Sequence, residues 1–181
     1  MRPLIGFLLF LCICATIQKK LTESDFDFRV GNHYNYSTEY TEEDITWLSK
    51  NIYFEARNQE IEGQFAVLFV TLNRVADNRF PNTVKEVVLQ AQLNSNLIPV
   101  RDKCQFSWYC DGKKDIIDDM KTFAEIRKMV LTFLQSNSIM YDITNGATHY
   151  HADYVHPKWA KDKTKTITIG NHIFYRWEKR N

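Results

Sequence analysis

The sequence carries little net charge, and this argues against a nucleic-acid partner. Its formal net charge is +1, and it lacks the dominant basic arm or stripe expected of a nucleic-acid binder. Cysteine is also scarce. Two of the four cysteines lie in an apolar N-terminal run, and the other two are too few to build a structural zinc site.

Long hydrophobic runs are absent except at the N-terminus. There, residues 4–17 form an apolar run of 14 residues behind Arg2, which is short for a bilayer crossing and typical of a signal peptide. We predict a signal peptide over residues 1–20, and hence export to the periplasm, the cell wall or the medium. Because no clean A-x-A cleavage site follows, the alternative of an anchor that tethers the chain to a membrane through residues 4–17 stays open.

The composition of the chain favours one globular domain. Hydrophobic residues make up 44% of the sequence, which is enough to build a sizeable core in a chain of this length. Residues 21–40 are polar and aromatic without a helical period, so we predict a spacer there. Residues 41–181 are predicted to be the folded domain, which we expect to be monomeric.

Hydrophobic periodicity predicts a mainly helical domain. Thr41, followed three residues later by Asp44, predicts a helix start with a capping box. A second helix, apolar nearly all round and therefore central, is predicted from Gly63 or Gln64 to about Asp77. Two more helices are predicted, one capped by Asn82 or Thr83 and running to Gln90, the other opening at Asp118 and Asp119 and ending near Asn137.

The C-terminal part of the chain changes to a strand pattern. The segment "GATHYHADY" alternates like a strand, and "TITIGNHIFYRW" predicts a hairpin with a type II′ turn at Gly170 and Asn171. In that register Ile167, Ile169, His172 and Phe174 share one face. Residues 93–114 are predicted to be a loop that carries Cys104 and Cys110. Export would favour a disulfide between these two cysteines, with two free thiols as the alternative.

One carboxylate falls on the apolar stripe of the first helix. Ile45, Leu48, Ile52 and Glu55 follow at steps of three, four and three, which places Glu55 on the buried side. Burial raises the pKa of a carboxyl group and makes it a usable general acid near neutral pH. The structural alternative is a Glu55 side chain paired with Arg57 or Arg74.

Five ordered blocks carry a family resemblance that covers about Ile45 to Arg176. The blocks are "IYFEARNQEIEGQFAVLFVTLNRV", "RFPNTVKEVV", "CQFSWYCDG", "NGATHYHADYVHPKWA" and "IGNHIFYR". Together they resemble cell-wall hydrolases of the SleB type, which include spore-cortex-lytic enzymes and phage or bacterial wall hydrolases. The resemblance implies an α+β, mainly α, lysozyme-like and lytic-transglycosylase-like domain over residues 41–181, with a C-terminal β-hairpin region.

The resemblance also implies an activity and a site. The substrate would be the glycan strand of peptidoglycan, cut at the β-1,4 bond between N-acetylmuramic acid and N-acetylglucosamine, without a cofactor or metal. Glu55 matches the catalytic glutamate of the family's Y-x-E-A-R motif. Because no second catalytic acid stands out, the transglycosylase route with one carboxylate is favoured over hydrolysis. The remaining cleft positions correspond to substrate-binding residues Gln105, Phe106, Ser107, His149 and Tyr150.

Two other functions stay open. His149 and His151 form a His-x-His pair, and His172 is a third candidate metal ligand, so a metal-dependent amidase or peptidase is one alternative. A non-catalytic wall-binding module on the same scaffold is the other. About twenty residues separate the apolar run from the first helix, too few for the extra wall-binding domain of some spore-cortex enzymes. This favours a compact enzyme of the phage endolysin or general wall-lytic kind.

Overall fold

The computed structural model describes residues 40–135 and 141–178. Its helices are α1 (Glu42–Ala56), α2 (Ile61–Ala76), α3 (Val84–Val88) and α4 (Met120–Gln135). Its strands are β1 (Ala91–Leu93), β2 (Pro99–Cys104), β3 (His149–Ala152), β4 (Thr164–Ile169) and β5 (His172–Arg176), with short 3-10 helices at Ser107–Cys110 and Lys158–Asp162. This mixture agrees with the predicted α+β class.

Several predictions concern residues outside the described ranges. They are the signal peptide over residues 1–20, the spacer apart from its last residue, and the end of the fourth helix near Asn137. Within residues 40–135 and 141–178, no helix combines the length and the apolar character that a bilayer crossing needs.

Helix α1 begins where the capping pattern predicts. The Thr41 hydroxyl accepts a hydrogen bond from the Asp44 backbone N–H at 3.2 Å, and the Asp44 carboxylate accepts one from the Thr41 N–H at 2.9 Å. These reciprocal bonds satisfy two donors that a helix N-terminus otherwise leaves unpaired. The apolar stripe of α1 then packs into the main core with Ile45, Leu48 and Ile52.

Helix α2 is the central element, as its apolar sequence predicts. Every residue from Ala66 to Arg74 is buried. Val67 and Leu68 pack into the main core with α1, while Ala66 and Val70 pack against Phe174 of the sheet. A helix that contacts two cores must be apolar on both sides, which explains the lack of a polar face.

The C-terminal sheet confirms the predicted hairpin and its register. Strands β4 and β5 are antiparallel and pair Ile167 with Phe174 and Ile169 with His172, so these four side chains lie on one face. Gly170 opens the turn with a φ of 53°, the left-handed conformation that glycine adopts without steric cost. Strand β3 pairs with the other edge of β5, giving the order β3-β5-β4.

The prediction of a loop over residues 93–114 is wrong in part. Strands β1 and β2 form an antiparallel hairpin there, whose turn is held by the Asn94 side chain as it accepts the N–H groups of Asn96 and Ile98. Every residue of both strands is half-buried or exposed. Without a buried face the strands lack the apolar alternation that marks a strand in sequence.

Cys104 and Cys110 are joined by a disulfide. It links the end of β2 to the end of the 3-10 helix Ser107–Cys110. The bridge therefore closes the "QFSWY" segment into a small loop. This loop places Phe106 and Trp108 in the main core.

A buried amide connects that loop to the helices. Asn51 of α1 accepts a hydrogen bond from the Trp108 indole N–H at 2.9 Å. Its own amide N–H donates to the Thr71 hydroxyl of α2 at 3.1 Å. One side chain thus links three segments of the core, and each bond is shielded from water.

Replacement of Asn51 by alanine should destabilise the fold by about 1–3 kcal/mol, because it leaves the buried Trp108 N–H without an acceptor. Urea unfolding measures the change. Glu43→Gln is the matched control on the same helix, since it breaks only an exposed ion pair with Lys85, worth less than about 1 kcal/mol. Equal stability of the two variants would contradict this role of Asn51.

Candidate active site

A groove of about 250 Å³ opens where α1 ends. Its walls come from the last turn of α1, the connection to α2, the end of β3 and the turn between β4 and β5. Residues far apart in sequence therefore meet there. The lining residues are Phe54, Glu55, Arg57, Asn58, Gln59, Ala152, Tyr154, Asn171 and His172.

Two glycines allow the hairpin turn to close on the helices at one end of this groove. A Cβ atom on Gly170 would lie 2.6 Å from the Gln59 side-chain oxygen, and a Cβ on Gly63 would lie 2.8 Å from the Gln59 Cβ. Both distances are too short for real side chains. Gln59 fits between α2 and the turn because Gly63 and Gly170, the residues that it packs against, carry no side chain.

Glu55 is the carboxylate of the groove. It lies on the last turn of α1, where the apolar stripe carries it toward β3 and the "QFSWY" loop. Its carboxylate accepts a hydrogen bond from the Tyr150 hydroxyl at 2.7 Å. The backbone N–H groups of Ser107 and Trp108 also favour its charged form.

Burial raises the pKa of Glu55 above its usual value. Desolvation is the largest effect, because a charged carboxylate loses its hydration there. The Tyr150 hydrogen bond, the positive charge of Arg74 and the two backbone N–H groups each lower the pKa, without cancelling the effect of burial. The arrangement can therefore keep a proton on Glu55 and stabilise the anion that remains when the proton leaves.

Tyr150 reaches Glu55 because of its place in β3. It pairs with Phe174 of β5 and packs with it toward α2. Burial, together with the nearby Glu55 charge, raises the pKa of the Tyr150 hydroxyl well above its usual value. The hydroxyl therefore stays protonated and acts as a donor to the carboxylate.

The three candidate metal ligands do not converge. His149 and His151 lie on one face of β3, where their rings pack around Trp159. His172 is cross-strand to Ala152 and contacts Tyr150 on the opposite face. Across residues 40–135 and 141–178, no three His, Cys, Asp or Glu side chains are placed to share a metal ion. The sheet register thus separates the ligand set that the His-x-His alternative requires.

None of the five sequence-predicted cleft residues is among the residues that line the groove. Tyr150 contacts Glu55 through the Tyr150 hydroxyl. Ser107 acts on the Glu55 carboxylate through the Ser107 backbone N–H. Phe106 is 1% exposed and lies beneath the Arg74 guanidinium, while the Gln105 side chain is exposed. His149 faces away from Tyr150, and burial lowers its pKa to about 3. A substrate contact by any of the five stays a prediction.

Sequence reasoning missed most of the groove lining. Asn58 and Gln59 follow α1, and Asn171 lies in the hairpin turn, whose sequence predicts a turn but no site. The sequence marks His172, the first residue of β5, only as a candidate metal ligand. Tyr154 is 80% exposed beside the groove. An aromatic residue just after a predicted strand is the one sequence signal that could have pointed to it. Of the two partners that the structural alternative offered to Glu55, Arg74 acts on it through its charge, while Arg57 donates to the Tyr53 carbonyl.

The fold and the groove define a class of protein. A helix-rich core with small antiparallel sheets defines a lysozyme-like α+β domain. The chain belongs to the Cell Wall Hydrolase family, whose model matches residues 58–175. The matched stretch begins just after Glu55.

Curated relatives support this membership. Spore cortex-lytic enzymes of Bacillus subtilis and Bacillus cereus are 39% and 29% identical to this chain over 136 residues. The alignments cover 75% of this chain but only 38% and 45% of the relatives. The chain therefore spans less than half the length of the curated relatives it matches.

Solved structures show the same fold. The catalytic domain of the germination-specific lytic transglycosylase SleB from Bacillus anthracis is 26% identical, with a TM-score of 0.55 over 77% of this chain and 98% of that domain. The catalytic domain of the Bacillus cereus SleB protein is 27% identical, with a TM-score of 0.55 over 80% of this chain and 99% of that domain. The likeness thus extends over nearly the whole of both catalytic domains.

The raised pKa of Glu55 predicts a pH-dependent stability penalty. Between its ordinary value of 4.5 and its folded value, the folded state holds more protons than the unfolded state, so the free energy of unfolding falls as pH rises. Glu55→Gln lacks this penalty. The free energy of unfolding of Glu55→Gln, relative to that of the wild type, should increase as pH rises from below 4.5. It should level off above the pKa of Glu55 in the folded state.

Urea unfolding across a pH series measures this difference. Glu62→Gln is the matched control, because it removes an exposed carboxylate from the first turn of α2 and should not reproduce the trend. A Glu55→Gln difference that is flat with pH, or that shrinks as pH rises, would be inconsistent with a half-buried Glu55 whose pKa is raised.

Proposed function

We propose that this chain cleaves the β-1,4 bond between N-acetylmuramic acid and N-acetylglucosamine in peptidoglycan, as a lytic transglycosylase with Glu55 as its one catalytic carboxylate. The observation that carries the proposal is the position of Glu55: at the wall of an open groove, held by Tyr150, with its pKa raised by burial. Membership of the cell wall hydrolase family and the likeness to SleB catalytic domains support it.

The proposed reaction needs one proton carrier. Glu55 gives its proton to the glycosidic oxygen as the bond from that oxygen to the anomeric carbon breaks, which turns a poor leaving group into an alcohol. The 6-hydroxyl oxygen of the same muramyl residue then bonds to the anomeric carbon. Its proton passes to Glu55, so the acid is restored and the product carries a 1,6-anhydro end.

The composition of the groove supports this route over hydrolysis with two carboxylates. Glycosidases that use a carboxylate pair need both groups on the same scissile bond, about 5–10 Å apart. Of the residues that line the groove, Glu55 is the only acid. Glu60, Glu62 and Asp153 are exposed side chains outside its walls. A single carboxylate that serves as acid and then base fits this lining.

The lining of the groove also offers groups that suit a polysaccharide. Phe54 and Tyr154 offer aromatic surface, and Asn58, Gln59 and Asn171 offer amide groups for hydroxyl and acetamido substituents. Burial lowers the pKa of His172, which leaves this ring uncharged at neutral pH. The proposed substrate places the enzyme outside the cytoplasm, in line with the predicted export signal.

Glu55→Gln should lower the rate of peptidoglycan lysis by about 100-fold or more, because it keeps the side-chain volume but removes the transferable proton. Turbidity loss of purified sacculi measures the rate, and circular dichroism checks that the variant is folded. The matched control Glu62→Gln should lyse at nearly the wild-type rate. Wild-type activity in a folded Glu55→Gln variant would refute the proposed role.

The products should carry 1,6-anhydromuramyl ends, because the attacking oxygen comes from the sugar itself and no water is added. Mass spectrometry of solubilised muropeptides measures this, since an anhydro end is lighter than a reducing end by one water. Reducing ends alone would indicate hydrolysis. Cleaved stem peptides together with loss of activity in a chelator would favour the amidase, and binding without any solubilised product would favour the non-catalytic module.

A further inference from the structure

Helix α2 carries a buried cation that the proposed reaction leaves unexplained. Arg74 is 3% exposed and follows Val67 and Val70 on one side of the helix. Placing a guanidinium away from water costs several kcal/mol unless its surroundings compensate. Desolvation lowers the Arg74 pKa only to about 10, so the side chain keeps its charge at neutral pH.

The surroundings of Arg74 come from three parts of the site. Its Nε donates to the Thr148 carbonyl at 2.7 Å, immediately before β3. Its guanidinium carbon lies 4.7 Å from the ring centre of Phe106 and 5.5 Å from that of Phe80, within the range of a cation–π contact. Arg74 thus ties the "QFSWY" loop and the start of β3 to α2.

One nitrogen of this guanidinium has no hydrogen-bond partner among residues 40–135 and 141–178. The Nη1 atom is buried, and none of the described residues accepts a bond from it. The charge is therefore only partly compensated by direct contacts. A buried charge in this state acts strongly on other charges nearby, because little solvent screens it.

The groups that Arg74 acts on belong to the candidate active site. Its charge lowers the pKa of Glu55 and opposes the rise in the pKa of Tyr150. His149 also faces it, but with a pKa of about 3 it is neutral over the range of interest. On the groove side, Arg57 is a fixed cation and His172 is neutral. Glu55 is therefore the group near Arg74 whose charge changes during the proposed reaction.

We propose that Arg74 is a positioning residue for proton transfer: it holds β3, and with it Tyr150, against Glu55, and it stabilises the carboxylate that forms when Glu55 gives up its proton. This inference rests on the proposed function of Glu55. A fixed cation that favours the charge developing in the transition state lowers the barrier without any rearrangement during the reaction. Arg74 contacts neither the groove nor the substrate, so it acts through Glu55.

The test uses Arg74→Met and Arg74→Lys in the full chain. Methionine keeps an unbranched apolar side chain and removes the charge, whereas lysine keeps the charge. In the pH profile of kcat/KM on solubilised glycan strands, the basic limb reports loss of the Glu55 proton. Arg74→Met should lower the maximal rate and move this limb to higher pH, because the Glu55 anion loses a stabilising charge. Arg74→Lys should keep the limb near its wild-type position.

The matched control is Arg79→Met. Arg79 is bound to Asp77 and lies over Trp177, away from Glu55, so its loss should leave the limb in place. A folded Arg74→Met variant with a lower rate but an unmoved limb would show a purely structural role and overturn the inference.

A second measurement needs no substitution of Arg74. In the wild-type chain, the NMR resonance of the Arg74 Nε–H should move with pH at the midpoint recorded for the Glu55 carboxyl carbon, and this movement should vanish in Glu55→Gln. A resonance that does not follow Glu55 would overturn the inference even if Arg74→Met failed to fold. The proposed function can fail independently of this inference. Lysis by Glu55→Gln would refute the proposed function. If Glu55→Gln is inactive but the basic limb of Arg74→Met stays in place, only the role of Arg74 is refuted.

Discussion

The hydrogen bond from the Tyr150 hydroxyl to the Glu55 carboxylate, 2.7 Å long, joins the two halves of the fold at the groove. Glu55 belongs to the helical core and Tyr150 to the sheet. The bond forms only if α2 packs against both, and α2 does so through Val67 and Leu68 on one side and Ala66 and Val70 on the other. The packing of the central helix α2 therefore sets the distance between the Tyr150 hydroxyl and the Glu55 carboxylate.

The same contact opposes the effect of burial, which is the largest influence on the pKa of Glu55. Burial alone favours the protonated form of Glu55, and an acid that holds its proton more firmly is a poorer donor in the proposed reaction. Tyr150, Arg74 and two backbone N–H groups lower the cost of the anion, which brings the acid closer to a useful strength. Such opposed effects are common where a carboxyl group must both give and take a proton.

Local sequence patterns predicted the helices and the C-terminal hairpin well, because each carries its own signal. Thr41 and Asp44 cap α1, and the spacing of Ile45, Leu48 and Ile52 follows a helical period. The hairpin of β1 and β2 has no such signal, since its strands bury little apolar surface. Its stability comes from backbone pairing and from the Asn94 turn, which a hydrophobic pattern does not record.

The sequence by itself determined that Glu55 would lie on the buried face of a helix, because a period of 3.6 residues assigns every position to a side. Only the tertiary structure decided what that carboxylate would meet. Tyr150 lies 95 positions further along the chain, and the register of β3 with β5 turns it toward Glu55 while turning His149 away. Side-chain direction in a strand alternates with every residue. Which side chain of β3 faces Glu55 therefore depends on long-range pairing and packing.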